Sequence, residues 1–150
     1  MVVTTAENWK FDEYTQPIKL VEPSQAELPN GTPCQSSGYG YSAHIGDGIP
    51  GQIAQTLQWM DIDCITIEEC KKVWVGETLT SRQQCANSDG VTSCMGDSGG
   101  PLTVMENGER KLLGNVSWGN GRCMTDGFPA AYSRNQDPEV NAWIKTNADL

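Results

Sequence analysis

The sequence is poor in positive charge. Ten Lys+Arg stand against 19 Asp+Glu, giving a net charge of -9 at pH 7. Without a cationic field to neutralise phosphates, nucleic acid and anionic membranes are excluded as partners, and the surplus acid reads as solubility. No apolar run approaches the roughly 18 residues of a membrane span. The opening, MVVTTAENWKFDEY, has neither the basic nor the apolar region of a signal peptide. No two cysteines form a C-x-x-C pair, so a metal site of that kind is not indicated, and no cofactor motif is visible. Histidine occurs once, as His44, and no internal repeat is present.

What is present points to a loop-rich, mostly β protein. The chain has 150 residues, 16 of them glycine, and a hydrophobic fraction of 37%. That is one domain's worth of core. Six cysteines, an even number, suggest a bridged protein from an oxidising compartment. Bridges without a signal peptide are reconciled if the chain is the rear part of a longer secreted precursor.

Along the chain, Val2–Thr4 is a β-branched scrap, and residues 1–30, dotted with Pro17, Pro23 and Pro29, read as an extended connector. From residue 31 to 150 short strand-like runs alternate with turn clusters. The candidates are Cys34–Tyr39, Thr56–Ile65, Pro101–Met105, Lys111–Ser117 and Ala130–Ser133. Asn107-Gly108 between two of these runs signals a tight hairpin. Thr66 with Glu69 three residues on predicts a helix opened by a capping box, and Asp137-Pro138 opens a terminal helix carrying Val140, Trp143 and Ile144. The pattern predicts a single antiparallel six-stranded barrel with a short intermediate helix and a C-terminal helix.

The chemistry lies in Cys94-Met-Gly-Asp-Ser-Gly-Gly-Pro-Leu102. Gly96, Gly99 and Gly100 surround one hydroxyl, leaving room for a bound peptide and permitting backbone N–H groups to converge beside Ser98. Donors fixed where a carbonyl oxygen gains charge form an oxyanion hole. The competing reading is an ordinary flexible turn, which the flanking Cys94 and the Pro101-Leu102 strand start disfavour.

This string resembles the nucleophile motif of the chymotrypsin-like serine proteases. Gln16-Pro-Ile-Lys-Leu20, Cys34-Gln-Ser-Ser-Gly-Tyr-Gly40, Thr56-Leu-Gln58, Glu68-Glu-Cys70, Val116-Ser-Trp-Gly119, Pro129-Ala-Ala-Tyr-Ser-Arg134 and Trp143-Ile144 follow the family's segments in order. The resemblance implies the C-terminal barrel of a two-barrel fold and peptide-bond hydrolysis through a Ser98 acyl-enzyme, without a cofactor or metal. It implies the Gly96 and Ser98 amides as oxyanion donors, and Asp97 as acceptor of the N-terminus freed on activation. Ser117, Trp118 and Gly119 would pair with the substrate backbone. Thr92 would floor the primary pocket, Met95 its rim, and Ala130 would narrow its interior. With no acid at Thr92, an apolar residue rather than Lys or Arg is expected before the scissile bond. Cys70–Cys85 and Cys94–Cys123 follow the family's bridges. The usual partner of Cys34 falls near Val104, which leaves Cys34–Cys64 as the expected third.

In the family the triad Asp and His precede the nucleophile by roughly 90 and roughly 140 residues, so both are expected upstream of this chain. His44 falls on an outer loop and reads as a solvated residue; neither Asp47 nor Asp61 has a better claim to the acid role. The chain alone is therefore expected to be inactive or nearly so. Its expected partners are a protein or peptide substrate, the absent N-terminal barrel and protein protease inhibitors. The alternatives are a non-catalytic binding module and a lone hydrolase using Ser98 with His44.

Overall fold

The computed structural model describes residues 2–42, 51–88, 90–121, 123 and 127–148. Six strands close an antiparallel barrel: β2 (Thr32–Gly38), β3 (Gln58–Ile65), β4 (Gln83–Asn87), β5 (Pro101–Glu106), β6 (Glu109–Trp118) and β7 (Ala130–Arg134). Pairings run β6-β5-β2-β3-β4-β7, and a β6–β7 pairing shuts the ring. A two-residue strand β1 (Lys19–Leu20) lies parallel to β6, outside the closed ring. Two helices, α1 (Ile67–Val73) and α2 (Pro138–Asn147), complete the fold.

The barrel closes because β6 is long and bent. Its ten residues carry register shifts at both neighbours, between Leu102 and Thr103 of β5 and between Val116 and Trp118 of β6 itself. Such bulges raise local twist and let one strand serve two partners. The β5–β6 hairpin turns on Asn107 and Gly108, with φ of 54° and 78°. Positive φ at both central residues is the type I′ geometry that Asn-Gly favours.

The core follows the alternation of the strands. Cys34, Ile62, Cys64, Ala86, Leu102, Val104, Leu113, Val116, Ala130 and Tyr132 point inward and pack with Val21 of the connector. Cys34 and Cys64 bridge β2 to β3 with a Cα–Cα distance of 6.3 Å, within the span a disulfide allows. Val104 is the register partner of Cys34 on the other side. Cys70–Cys85 ties α1 to β4, and Cys94–Cys123 ties the Ser98 loop to the segment after β6.

Several sequence expectations meet the structure with changes. Val2–Thr4 forms no strand and is exposed. The first barrel strand stops at Gly38, one residue short of Tyr39. β4, a polar QQCAN run, had no strand signal, yet Gln84, Cys85 and Ala86 are buried. The capping box is half formed: the Thr66 hydroxyl accepts from Glu69 N, while the Thr66 and Ile67 amides donate to Asn30 and Glu27 instead. Connector side chains occupy the place a reciprocal Glu69 bond would take.

Candidate active site

Two successive tight turns carry the nucleophile loop. In the first, Asp97 N donates to Cys94 O at 3.0 Å around Gly96, whose φ is +95°. In the second, Gly100 N donates to Asp97 O at 2.8 Å around Gly99, whose φ is +82°. Each is a type II turn with glycine at the position that needs positive φ. Ser98 sits at the first central position of the second turn, exposed. Gly99 N donates to Val116 O and Val116 N to Gly100 O, so β6 clamps the loop. Asn115 adds a bond from Nδ2 to Gly99 O at 3.2 Å.

The Asp97 carboxylate holds the other side of this loop. Oδ1 accepts from Gly40 N at 2.8 Å and Oδ2 from Cys94 N at 2.9 Å. The approach demands glycine: a Cβ on Gly38 would sit 2.1 Å from Asp97 Oδ1, and one on Gly96 would sit 3.0 Å from Gly40 Cα. Both carboxylate oxygens are thus satisfied by backbone donors, which fixes the loop without any added amine. Among the described residues, the amides of Gly96 and Ser98 donate to no protein group. Both N–H groups belong to the loop that carries the exposed Ser98 hydroxyl, two residues apart in sequence.

A cleft of about 210 Å³ opens beside Ser98, lined among others by Ser93, Met95, Val116, Ser117, Trp118 and Gly119. Its described lining residues carry no charge. Thr92 and Ala130, expected at its floor and interior, are not on its wall. Thr92 lines a neighbouring cavity of about 190 Å³ with Asp97, Gly40 and Trp59. Ala130 is fully buried behind Gly119, its methyl 3.7 Å from where a Gly119 Cβ would stand.

Ser93, not singled out in the sequence, adds a further hydroxyl to the cleft beside those of Ser98 and Ser117. Its Oγ lies 2.7 Å from the Tyr132 hydroxyl, and Ser36 Oγ stands 3.5 Å away, itself donating to Pro101 O. Since the Ser36 proton is committed to Pro101, the chain runs from Tyr132 through Ser93 to Ser36. Burial pushes the Tyr132 hydroxyl above its ordinary pKa, against the smaller opposing effect of the bond to Ser93. The wall of the cleft is braced from behind. Trp118 meets Trp74 edge-on at 5.0 Å, Trp74 meets Phe128 at 5.3 Å, and Trp74 Nε1 donates to Pro129 O at 2.9 Å. Trp74, the residue that ends α1, carried no sequence signal; its role depends on a contact 44 residues away in sequence.

No described residue serves as a base for Ser98. Asp61 is exposed on β3, paired with Gln35 Nε2 at 3.3 Å. His44 and Asp47 lie outside the described residues. No group of described His, Cys, Asp and Glu side chains could hold a metal ion.

A closed β-barrel presenting an exposed serine on a loop with two unpaired amides, beside a cleft whose described lining carries no charge, defines a trypsin-like fold. The comparison with protein families carries this to a family. Residues 1–144 match Trypsin, and the chain belongs to the trypsin family. Among solved structures it is similar to neuropsin, a serine protease expressed in the limbic system of mouse brain, at 26% identity with a TM-score of 0.77. The match covers 96% of this chain and 59% of that one. The chain therefore spans somewhat more than half the length of that relative.

Proposed function

We propose that the chain supplies the nucleophile, oxyanion donors and primary pocket of a serine endopeptidase secreted as part of a longer precursor. Ser98 Oγ attacks the scissile carbonyl, and the Gly96 and Ser98 amides take up the developing negative charge. Collapse of the tetrahedral intermediate expels the amine and leaves an acyl ester on Ser98, which water then hydrolyses. A serine hydroxyl needs an adjacent base to act this way, and that base with its acid comes from polypeptide outside the described residues. Protein or peptide substrates, a partner barrel and protein protease inhibitors are the partners this reading implies. Asp97, already seated on two amides, is the acceptor for an activating amine reaching in through the cavity it shares with Thr92.

The observation that carries the reading is the exposed Ser98, with its own amide and that of Gly96 unpaired, on a loop locked by Asp97 and β6. The described lining supports an apolar residue before the scissile bond, since a buried cation would find no carboxylate among those residues. Three disulfides support secretion, and no described helix is long and apolar enough to cross a membrane. A fluorophosphonate probe tests the central claim. Ser98 is expected to label stoichiometrically in the complete protein and weakly or not at all in these 150 residues alone. Absence of labelling in the complete protein would overturn it.

The lack of a described base favours one competing reading, a protease-like module that binds protein without cleaving it. Tight binding of a protein protease inhibitor by a complete protein that never labels at Ser98 would select that module.

A further inference from the structure

Two stretches of this chain read Asn-x-Ser/Thr with a non-proline centre: Asn30-Gly31-Thr32 and Asn115-Val116-Ser117. In a protein passing through a secretory pathway such a triplet is an acceptor for an N-linked glycan, provided it lies on an accessible surface loop. Both satisfy the triplet, with Pro33 following the first and Trp118 the second.

The structure separates them. Asn115 sits inside β6, flanked on both sides by paired strands, with Pro101 and Ser133 as register partners. Both ends of its amide are used: Nδ2 donates to Gly99 O at 3.2 Å and Oδ1 accepts from Asn135 Nδ2 at 3.2 Å. A sugar on that nitrogen would displace the clamp beside Ser98. Asn30 is the opposite case. It is exposed, at the first central position of a turn in which Thr32 N donates to Pro29 O at 3.1 Å around Gly31, φ +79°. Its Oδ1 accepts from Thr66 N at 2.7 Å, while Nδ2 has no partner among the described residues. A glycosylated Asn keeps its carbonyl, so the bond to Thr66 survives modification. A Cβ built on Gly31 meets nothing within 4 Å, so the turn stands open to solvent.

We propose that Asn30 is the N-glycosylation site of this chain and that Asn115 is never modified in the folded protein. The inference rests on the secretory part of the functional reading. In the transfer, Asn30 Nδ2 bonds to the anomeric carbon of an oligosaccharide. The carbon–oxygen bond to its lipid pyrophosphate carrier breaks, and the Nδ2 proton leaves with the pyrophosphate. Pro33, directly after the acceptor hydroxyl, stiffens the backbone there, so occupancy below full is expected. The site is placed where a glycan does no harm to catalysis. Asn30 precedes β2, and the Asp97 contacts begin at its far end, Gly38, roughly 20 Å along a seven-residue strand.

The test is to secrete the complete protein from cultured animal cells and treat it with peptide N-glycosidase in heavy-oxygen water. Peptide mass spectrometry then reads which asparagine has become labelled aspartate. Label is expected on a fraction of Asn30 and on no Asn115. Thr32→Ala is expected to abolish it and Thr32→Ser to retain it; because the Thr32 hydroxyl also donates to Pro29 O at 2.7 Å, the loss in Thr32→Ala counts only in secreted protein with all three bridges formed. Secreted protein with all three bridges formed and Asn30 unmodified would overturn the proposal while leaving the secretory reading standing. Glycan on Asn115 would overturn it equally. Protein that never forms the bridges would remove the secretory reading and the proposal with it.

Discussion

At the scale of single residues, glycine does as much for this site as serine. Gly38 is required because Asp97 Oδ1 fills the space its side chain would take, at 2.1 Å. Gly38→Ala should push the Asp97 carboxylate off Gly40 and disturb the Gly96 turn. The expected result is a fall in the Ser98 labelling rate of the complete protein by about 10²-fold, the scale of losing an oxyanion donor. Equal rates would show that the loop does not depend on that seat. Tyr132 offers a second test. Its folded pKa is raised, chiefly by burial, so the neutral phenol is favoured in the folded state. Its contribution is complete below the unfolded value near 10 and is lost as pH rises through the higher folded value. Tyr132→Phe should cost about 1 kcal/mol at neutral pH through the lost bond to Ser93, and the gap to wild type should shrink above pH ~10. Urea melts of both proteins at neutral and alkaline pH measure this.

At the scale of elements, the helices are held by what flanks them. Asp137 caps α2 by accepting from Glu139 N at 3.1 Å and Val140 N at 3.2 Å, and its other oxygen takes Ser81 Oγ. Asp137→Ala should lower stability by about 1–2 kcal/mol in denaturant melts, with the labelling of Ser98 unaffected. Arg134, buried at the end of β7, fastens the connector to the barrel. Its guanidinium donates to Ser81 O, Ser24 O, Ala26 O and Gln136 Oε1. Burial lowers its pKa, opposed by Glu27 and Asp137. Lysine cannot supply that fork, so Arg134→Lys should loosen residues 24–26 and raise their hydrogen exchange.

At the scale of the whole molecule, the barrel's stability is shared with its crosslinks. Cys34–Cys64 closes a loop of 30 residues between β2 and β3. Replacing both by Ala should cost about 2–4 kcal/mol, read as a lowered denaturant midpoint. The exposed arm tells a different story. Trp9, Phe11 and Tyr14 are 68%, 58% and 88% exposed. Aromatic surface of this kind favours association. The 150 residues alone should bind ANS and sediment with concentration-dependent mass, and serine at those three positions should reduce both.

Much of this protein was determined by local chemistry. The Asn107-Gly108 hairpin, the Asp137-Pro138 helix start and the glycine pattern around Ser98 each demand one backbone geometry, so the sequence alone specifies them. Other features depend on partners far along the chain. β4 becomes a strand because the barrel buries Gln84, whose Nε2 finds Ile65 O and Cys85 O. Lys19–Leu20 becomes a strand only against Lys111 and Leu112, and α1 is capped by Asn30 and Glu27 where a reciprocal bond from Glu69 was expected. The same holds at the cleft. Ser93 enters it, Trp74 braces Trp118 from behind, and Thr92 and Ala130 stand off its wall, because side-chain placement there depends on how β6 and β7 curve together. Dihedral preferences are written residue by residue, whereas burial and long-range hydrogen bonds exist only once the ring of strands has closed.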